Sequence, residues 1–265
     1  MQIFIIANRV LSQLKGDKRF LGLSIVGPII IIFLLKVLFD AIASDTPTIP
    51  QIPNIPGMPK FQPPAAISTN TFILPASAFV IHFLCFVICA ILLVQERTRG
   101  TLERMLISGF KKTSIIGGYT VGYFGLATVQ SMIVVAEVLW LFDLNLSWTS
   151  IILLFLVIWL LAIVSVMLGI FISTFARHEG HVFPFIPLLI LPSVLLTGVI
   201  VAPDKLPRWA EFIGQLFPLR YANNIIKELT KPDYSITSLI PDYLMLIGYA
   251  LALLFLASRT MKETE

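Results

Sequence analysis

Charge is what this sequence has least of. Only 13% of its 265 residues are Asp, Glu, Lys or Arg, against 57% apolar, whereas a soluble domain carries about a quarter charged residues. So few charges cannot cover a water-exposed surface, and with a mean hydropathy of +0.91 the chain is expected in a bilayer. Cysteine is scarce as well: Cys85 and Cys89 lie four apart on one face of an apolar helix and read as small packing residues rather than a redox or metal pair. No G-x-x-x-x-G-K-S/T occurs, and the glycine-rich stretch at 117–125 has no lysine, so no phosphate-binding loop is expected on this chain. The nearest approach to H-E-x-x-H is His178, Glu179, Gly180 and His181. It is one residue short and has no third ligand, so it reads as a polar connector and no metal site is expected. No Ser-His-Asp set or nucleophile elbow offers hydrolytic chemistry. The net charge of +4 requires no nucleic acid, since interfacial cations facing anionic headgroups account for it.

What the chain has in quantity is long apolar runs. Crossing roughly 30 Å of hydrocarbon takes about 20 apolar residues, and six stretches meet or approach that length: about 21–42, 72–94, 114–141, 150–174, 182–201 and 239–257. With the N-terminus inside, twelve Lys and Arg fall on the cytoplasmic side and six on the other, and cationic loops stay cytoplasmic. The expected fold class is therefore an all-α integral membrane protein with six transmembrane helices and both termini cytoplasmic. The apolar run that follows Lys15, Lys18 and Arg19 is too long for a signal core and reads as an uncleaved first span. Residues 1–20 set Ile3, Phe4, Ile6, Val10, Leu11 and Leu14 against Asn8, Arg9, Gln13 and Lys15, the pattern of an amphipathic helix in the interface.

The outer loop at 43–71 repeats proline every third residue from Pro47 to Pro59. Polyproline II has three residues per turn, so this segment is either a docking strut or a stiff tether. Gly118, Gly122 and Gly125 form one small-residue stripe and Ser165, Gly169 and Ser173 another. Such stripes let helices approach closely, within one chain or between two. Lys36, His82 and Glu137 are ionisable residues inside apolar spans, which makes them functional candidates by default. Lys36 and Glu137 sit near span ends and can snorkel, and a neutral His82 needs one hydrogen bond.

The charged dozen at 95–106, within a cytosolic helix expected at 95–107, stands apart from its apolar flanks. Leu102, Met105 and Leu106 form an i, i+3, i+4 stripe, with Glu96, Arg97, Arg99, Glu103 and Arg104 around it. Thr101 is placed to cap the helix, with Glu103 in its first turn. A short helix of this kind fits a groove on a soluble partner, and it equally satisfies an ordinary inner loop.

ERTRGTLERML, from Glu96 to Leu106, resembles the coupling helix of the ATP-binding-cassette type-2 permeases. The block with Pro192, Leu195, Leu196, Thr197, Gly198, Pro203, Leu206, Pro207, Trp209, Phe217, Pro218, Leu219 and Tyr221 resembles that family's fifth-span exit and outer re-entrant segment. The likeness runs over about residues 20–258. It implies a half-sized permease that pairs with a second permease copy and with two copies of a separate ATPase subunit, and that itself catalyses nothing and carries no cofactor. ATP and Mg would be held by that partner. The coupling contact would use Glu96, Arg97, Arg99, Gly100, Thr101, Leu102, Glu103, Arg104 and Leu106, and a second inner contact Arg177, His178 and Glu179. Within the outer segment at 202–238, stretches 206–215 and 221–229 read as short re-entrant helices broken at Phe217 and Pro218. Pro203, Leu206, Pro207, Trp209, Phe217, Pro218 and Tyr221 would form an outer gate. Residues 259–265 are then a cytoplasmic tail, and the protein sits in the inner cell membrane.

Polysaccharide exporters of that family usually carry a tyrosine and a tryptophan before the first span, and neither occurs between Lys15 and Leu23. The expected cargo is therefore a hydrophobic or amphipathic compound, drug or lipid-like. A polysaccharide or peptide exporter is the alternative within the family. An ion-coupled carrier or channel built on His82 and Glu137, or an assembly scaffold docking through the prolines, is the alternative outside it.

Overall fold

The computed structural model describes residues 2–44, 69–142, 144, 146–201, 203–231 and 233–260, and among these there is no β-strand. Ten α-helices follow in order: α1 (Gln2–Gly16), α2 (Lys18–Ser44), α3 (Thr69–Thr98), α4 (Thr101–Ile107), α5 (Lys112–Leu141), α6 (Trp148–Ser173), α7 (Phe185–Leu196), α8 (Arg208–Gly214), α9 (Pro218–Leu229) and α10 (Ile236–Thr260). The proline repeat lies outside the described residues, as does the tail beyond Thr260.

Five helical stretches are long and apolar enough to cross a membrane: Phe72–Thr98, Thr113–Leu141, Trp148–Ser173, Glu179–Leu196 and Ile236–Thr260. Gly22–Leu38 in α2 is a shorter apolar helix. The central pair is α3 and α6, which touch at Ser165 and Gly169 of the serine–glycine stripe. A Cβ on Gly169 would stand 2.8 Å from the Phe86 carbonyl oxygen and 3.1 Å from the Ala90 nitrogen. The second stripe faces α1. Ile3, Ile6, Val10 and Leu11 meet Gly117, Gly118, Gly122 and Gly125 in step, so α1 lies along α5 in the same direction. Both stripes are thus contacts within one chain.

Buried polar groups tie the helices across the middle of the bundle. Ser165 Oγ donates to the Leu161 carbonyl and so accepts from His82 Nδ1, 2.7 Å away. Cys85 Sγ donates to Gln130 Oε1 at 2.8 Å, and Gln130 Nε2 donates to the Ser24 carbonyl at 3.1 Å. His82 and Cys85 therefore serve as interhelical fasteners, as the scarcity of water among these spans requires.

The fifth apolar run differs from expectation. Its helical stretch runs over Glu179–Leu196 where 182–201 was expected, and the 12 residues of α7 are its regular α-helical part. The space beyond its end is filled by α8 and α9. Asn223 Nδ2 donates to the Thr197 carbonyl at 3.1 Å, and Tyr249, in the middle of α10, donates its hydroxyl to the Gln215 carbonyl at 2.9 Å. The α8–α9 corner therefore reaches halfway along α10. The break expected at Phe217 and Pro218 falls before Pro218, which is the first residue of α9; its fixed φ and missing N–H suit that position.

Candidate functional site

At one end of the bundle α3 runs on to Thr98 instead of starting a new helix at 95. The chain then turns at Arg99 and Gly100. Gly100 takes φ 67° and stands at the N-cap of α4, a left-handed conformation that glycine adopts without penalty. Thr101 is consequently the first helical residue and not the cap. At the other end of α4, Gly109 takes φ 83°. The N–H of Phe110 bonds to Met105 O at 3.1 Å and that of Gly109 to Leu106 O at 3.0 Å, the paired bonds of a Schellman stop. Two glycines thus cut a seven-residue helix out of the connection between α3 and α5.

This helix buries Thr101, Leu102 and Met105 and exposes Glu103, Arg104, Ile107 and Ser108. Ile107 is 86% exposed, an apolar side chain standing in the open beside two opposite charges. The sequence pattern passed over it because it falls outside the i, i+3, i+4 stripe. Arg99 is exposed and Leu106 half-buried. Arg104 Nη2 donates to the Arg99 carbonyl at 3.2 Å and to Thr101 Oγ1 at 3.3 Å, holding the turn closed.

Of the nine expected contact residues, Glu96, Thr101 and Leu102 are buried and Arg97 is half-buried. Glu96 is 3% exposed; its Oε2 accepts from Tyr119 Oη at 3.0 Å and Arg9 Nη2 at 3.3 Å, while Oε1 accepts from Gln13 Nε2. One buried carboxylate therefore clamps α1 and α5 to the end of α3, and both of its oxygens are satisfied. Arg97 Nη1 donates to the carbonyls of Thr174 and Ala176 at 3.4 Å, which joins the α3 end to the connector after α6. Arg177, His178, Glu179 and His181 of that connector are exposed, with the His178 and His181 rings 3.7 Å apart. Thr174 Oγ1 also bonds Thr260 Oγ1 at 3.1 Å. The α4 helix, the 174–181 connector, the last residue of α10 and the C-terminal half of α1 share one end of the molecule. Arg9, Gln13 and Tyr119 had no legible signal, since each gains its role only by meeting Glu96 in space.

At the opposite end, the expected gate residues gather around α8 and α9. Trp209 is 67% exposed, as is Phe212, while Pro218 is buried and Tyr221 half-buried. Tyr221 Oη donates to the Gln215 carbonyl at 2.9 Å and its ring lies 5.8 Å from that of Tyr249. Pro203 and Leu206 are half-buried and Pro207 exposed. Glu137 is 8% exposed, and neither carboxyl oxygen has a hydrogen-bond partner among the described residues. It shares nothing with His82, which is occupied by Ser165. Among the described residues no group of three or more His, Cys, Asp or Glu is placed to hold a metal.

The sequence model described as "ABC-2 type transporter" matches residues 1–229. The chain is 25% identical over 151 residues to the probable multidrug ABC transporter permease YbhR of Escherichia coli (strain K12), covering 57% of this chain and 40% of that protein. It is 23% identical over 189 residues to the probable multidrug ABC transporter permease YbhS of the same organism, 71% of this chain and 50% of the other. To ABC transporter G family member 20 of Dictyostelium discoideum it is 23% identical over 197 residues, 73% and 27% respectively. The matched stretch is half or less of each relative's own length.

Proposed function

The chain belongs to the ABC-2 type transporter family, and we propose that it is a six-span permease subunit of an ATP-driven exporter for a hydrophobic or amphipathic compound. It is a multi-pass membrane protein of a family that works with an ATP-binding-cassette ATPase. The observation that carries the finer reading is α4: a seven-residue helix cut off by Gly100 and Gly109, braced through Glu96 and Arg97, and exposing Glu103, Arg104 and Ile107. An exposed apolar side chain beside charges of both signs is the composition of a docking hot spot with a polar rim. Two ATPase copies closing on ATP and Mg would press on two such helices, one from each permease of a dimer. The 174–181 connector, tied to the same brace, would move with α4.

In this reading the α4 end is cytoplasmic, the α8–α9 corner is a re-entrant outer gate, and the protein sits in the inner membrane. The multidrug description of YbhR and YbhS supports an amphipathic cargo. Glu137 favours a second reading, an ion-coupled carrier, because a carboxyl inside a span that has no partner among the described residues is costly unless it binds something.

Copurification of the detergent-solubilised protein with its candidate ATPase, followed by ATP hydrolysis, tests the first reading. Glu103→Lys is expected to abolish transport-coupled hydrolysis while the permease still inserts. Ile107→Asp is expected to weaken ATPase binding about tenfold, ~1.4 kcal/mol, with the permease's own melting temperature unchanged because the side chain buries nothing. Failure of any ATPase to copurify with a folded permease would reject the exporter reading and leave the carrier reading with Glu137.

A further inference from the structure

Glu137 lies seven residues after Gln130 on α5, a spacing that puts both on one face. Gln130 uses that face to reach α2, donating to the Ser24 carbonyl. Twelve residues further along both helices, Lys36 Nζ sits 5.6 Å from the centre of the Phe142 ring. The two helices therefore run side by side in the same direction, and Glu137 faces α2 about 7.5 Å short of the level of Lys36, five residues at 1.5 Å each. Lys36 continues the packed face of α2, on which Ser24, Pro28 and Ile32 are buried at steps of four. Its ammonium turns the other way, onto Asp40 Oδ2 at 2.8 Å, with the lysine side chain 30% exposed and the aspartate 59%. The other helix on this face of α5 is α3, joined to Gln130 through Cys85 and running the opposite way. It brings buried Leu74 and Ala78 to the level of Glu137, and it has no Asp, Glu, Lys or Arg between Thr69 and Gln95. One ammonium is thus flanked by two carboxyls, a wet one that it pairs with and a buried one with no partner among the described residues.

We propose that Lys36 is a two-position switch, paired with Asp40 in the state seen here and with Glu137 in a second state of the same chain. A carboxyl kept inside a span without a partner is costly, and a partner that arrives in the other state accounts for its being there. Helical side chains lean toward the N-terminus of their helix, which for Lys36 is the direction of Glu137; the bond to Asp40 draws it against that lean, up toward water. A swing of its flexible four-carbon stem and a slide of α2 along α5 by less than one turn, the kind of shift packed helices make, would complete the approach. Pairing with Glu137 would clamp the far half of α2 to α5. Pairing with Asp40 leaves that half held by apolar contacts alone, with Phe33, Leu34, Val37 and Leu38 exposed along it. The carrier reading gives Glu137 an ion from outside the chain; this one gives it a partner from within.

The test is thermal melting of the full, detergent-solubilised chain, with Glu137→Gln placed in two backgrounds. In the wild-type background it removes an unpaired carboxyl and is expected to leave the melting temperature unchanged or raise it. In the Asp40→Asn background, where Lys36 has only Glu137 to turn to, the same substitution is expected to lower it by about 3 °C, the shift that losing one such pair produces in a chain of this size. Adding Lys36→Gln to that background is expected to abolish the drop. No drop in the Asp40→Asn background overturns the proposal, and so does an equal drop in both, which is what an ion bound from outside would give. Should Asp40→Asn fail to fold, a membrane-permeant carbodiimide decides on the wild-type protein: it activates a carboxyl as the O-acylisourea, which the Lys36 amine captures as an amide while the urea leaves. Peptide mass spectrometry is expected to find Lys36 joined to Glu137 as well as to Asp40, and absence of the Glu137 link overturns the proposal. No ATPase or cargo enters either experiment, so failure here is separate from failure of the exporter reading.

Discussion

Gly169→Leu is expected to destroy the folded bundle, while Gly248→Leu is expected to pass unnoticed. At Gly169 even the first added carbon would stand 2.8 Å from the Phe86 carbonyl oxygen, 3.0 Å from Cys89 Cβ and 3.1 Å from the Ala90 nitrogen. Two of those atoms are backbone inside a helix and cannot swing aside as a flexible side chain does. The α3–α6 pair would have to separate, breaking the contact that also aligns His82 with Ser165. Overpacking of this severity costs about 3 kcal/mol or more. At Gly248 an added carbon meets nothing within 4 Å, and changes at such surface sites stay within about 0.5 kcal/mol. Size-exclusion chromatography and thermal melting of the two solubilised variants make the comparison; a monodisperse Gly169→Leu protein with an unchanged melting temperature would refute the close α3–α6 contact.

Glu96→Ala is expected to free α1 from the bundle without unfolding it. The substitution removes three hydrogen bonds to one carboxylate, from Arg9, Gln13 and Tyr119. Hydrogen bonds to charged groups contribute about 1.5–3 kcal/mol each, but they are not additive. Arg9 is 43% exposed on its side chain and regains water once Glu96 is gone. The net loss is therefore placed near 2 kcal/mol, a factor of about 30 in the opening of α1. The apolar contacts of Ile6 and Val10 with the α5 glycines remain, so the helix should loosen rather than melt away. Hydrogen exchange of residues 2–16 reads this directly. Tyr119→Phe should produce a smaller rise, since it removes one bond and leaves the ion pair. Exchange in α1 indifferent to both substitutions would show that the glycine stripe alone holds it.

These two sites differ in how far the sequence exposes them. Gly169 was legible as part of a small-residue stripe at helical spacing, though not whether its neighbour was α3 or another chain. In the sequence Glu96 stands among the charges around the Leu102, Met105 and Leu106 stripe, as a residue of the expected coupling contact. Its burial depends on Arg9 and Gln13 arriving from more than eighty residues away, which no local pattern encodes. The break at Arg99 and Gly100 was hidden for a related reason. The charged run looks continuous, and only the positive φ of Gly100 reveals that residues 95–98 complete α3. Ile107 escaped notice because apolar periodicity marks what is buried, whereas this side chain matters by being exposed.

The sequence by itself determined the solvent, the helical class and the approximate places of the apolar runs. Hydropathy and charge act over windows of about twenty residues and need no knowledge of neighbours. It also determined the family, through motifs that are local. Only the tertiary structure decided that both small-residue stripes serve contacts within the chain, that Glu96 and Arg97 brace α4 from inside, and that α7 stops short while α8 and α9 occupy the space beyond it. Each of those outcomes is a competition among distant groups for the same close approach or the same hydrogen bond, and it is settled only when the helices pack.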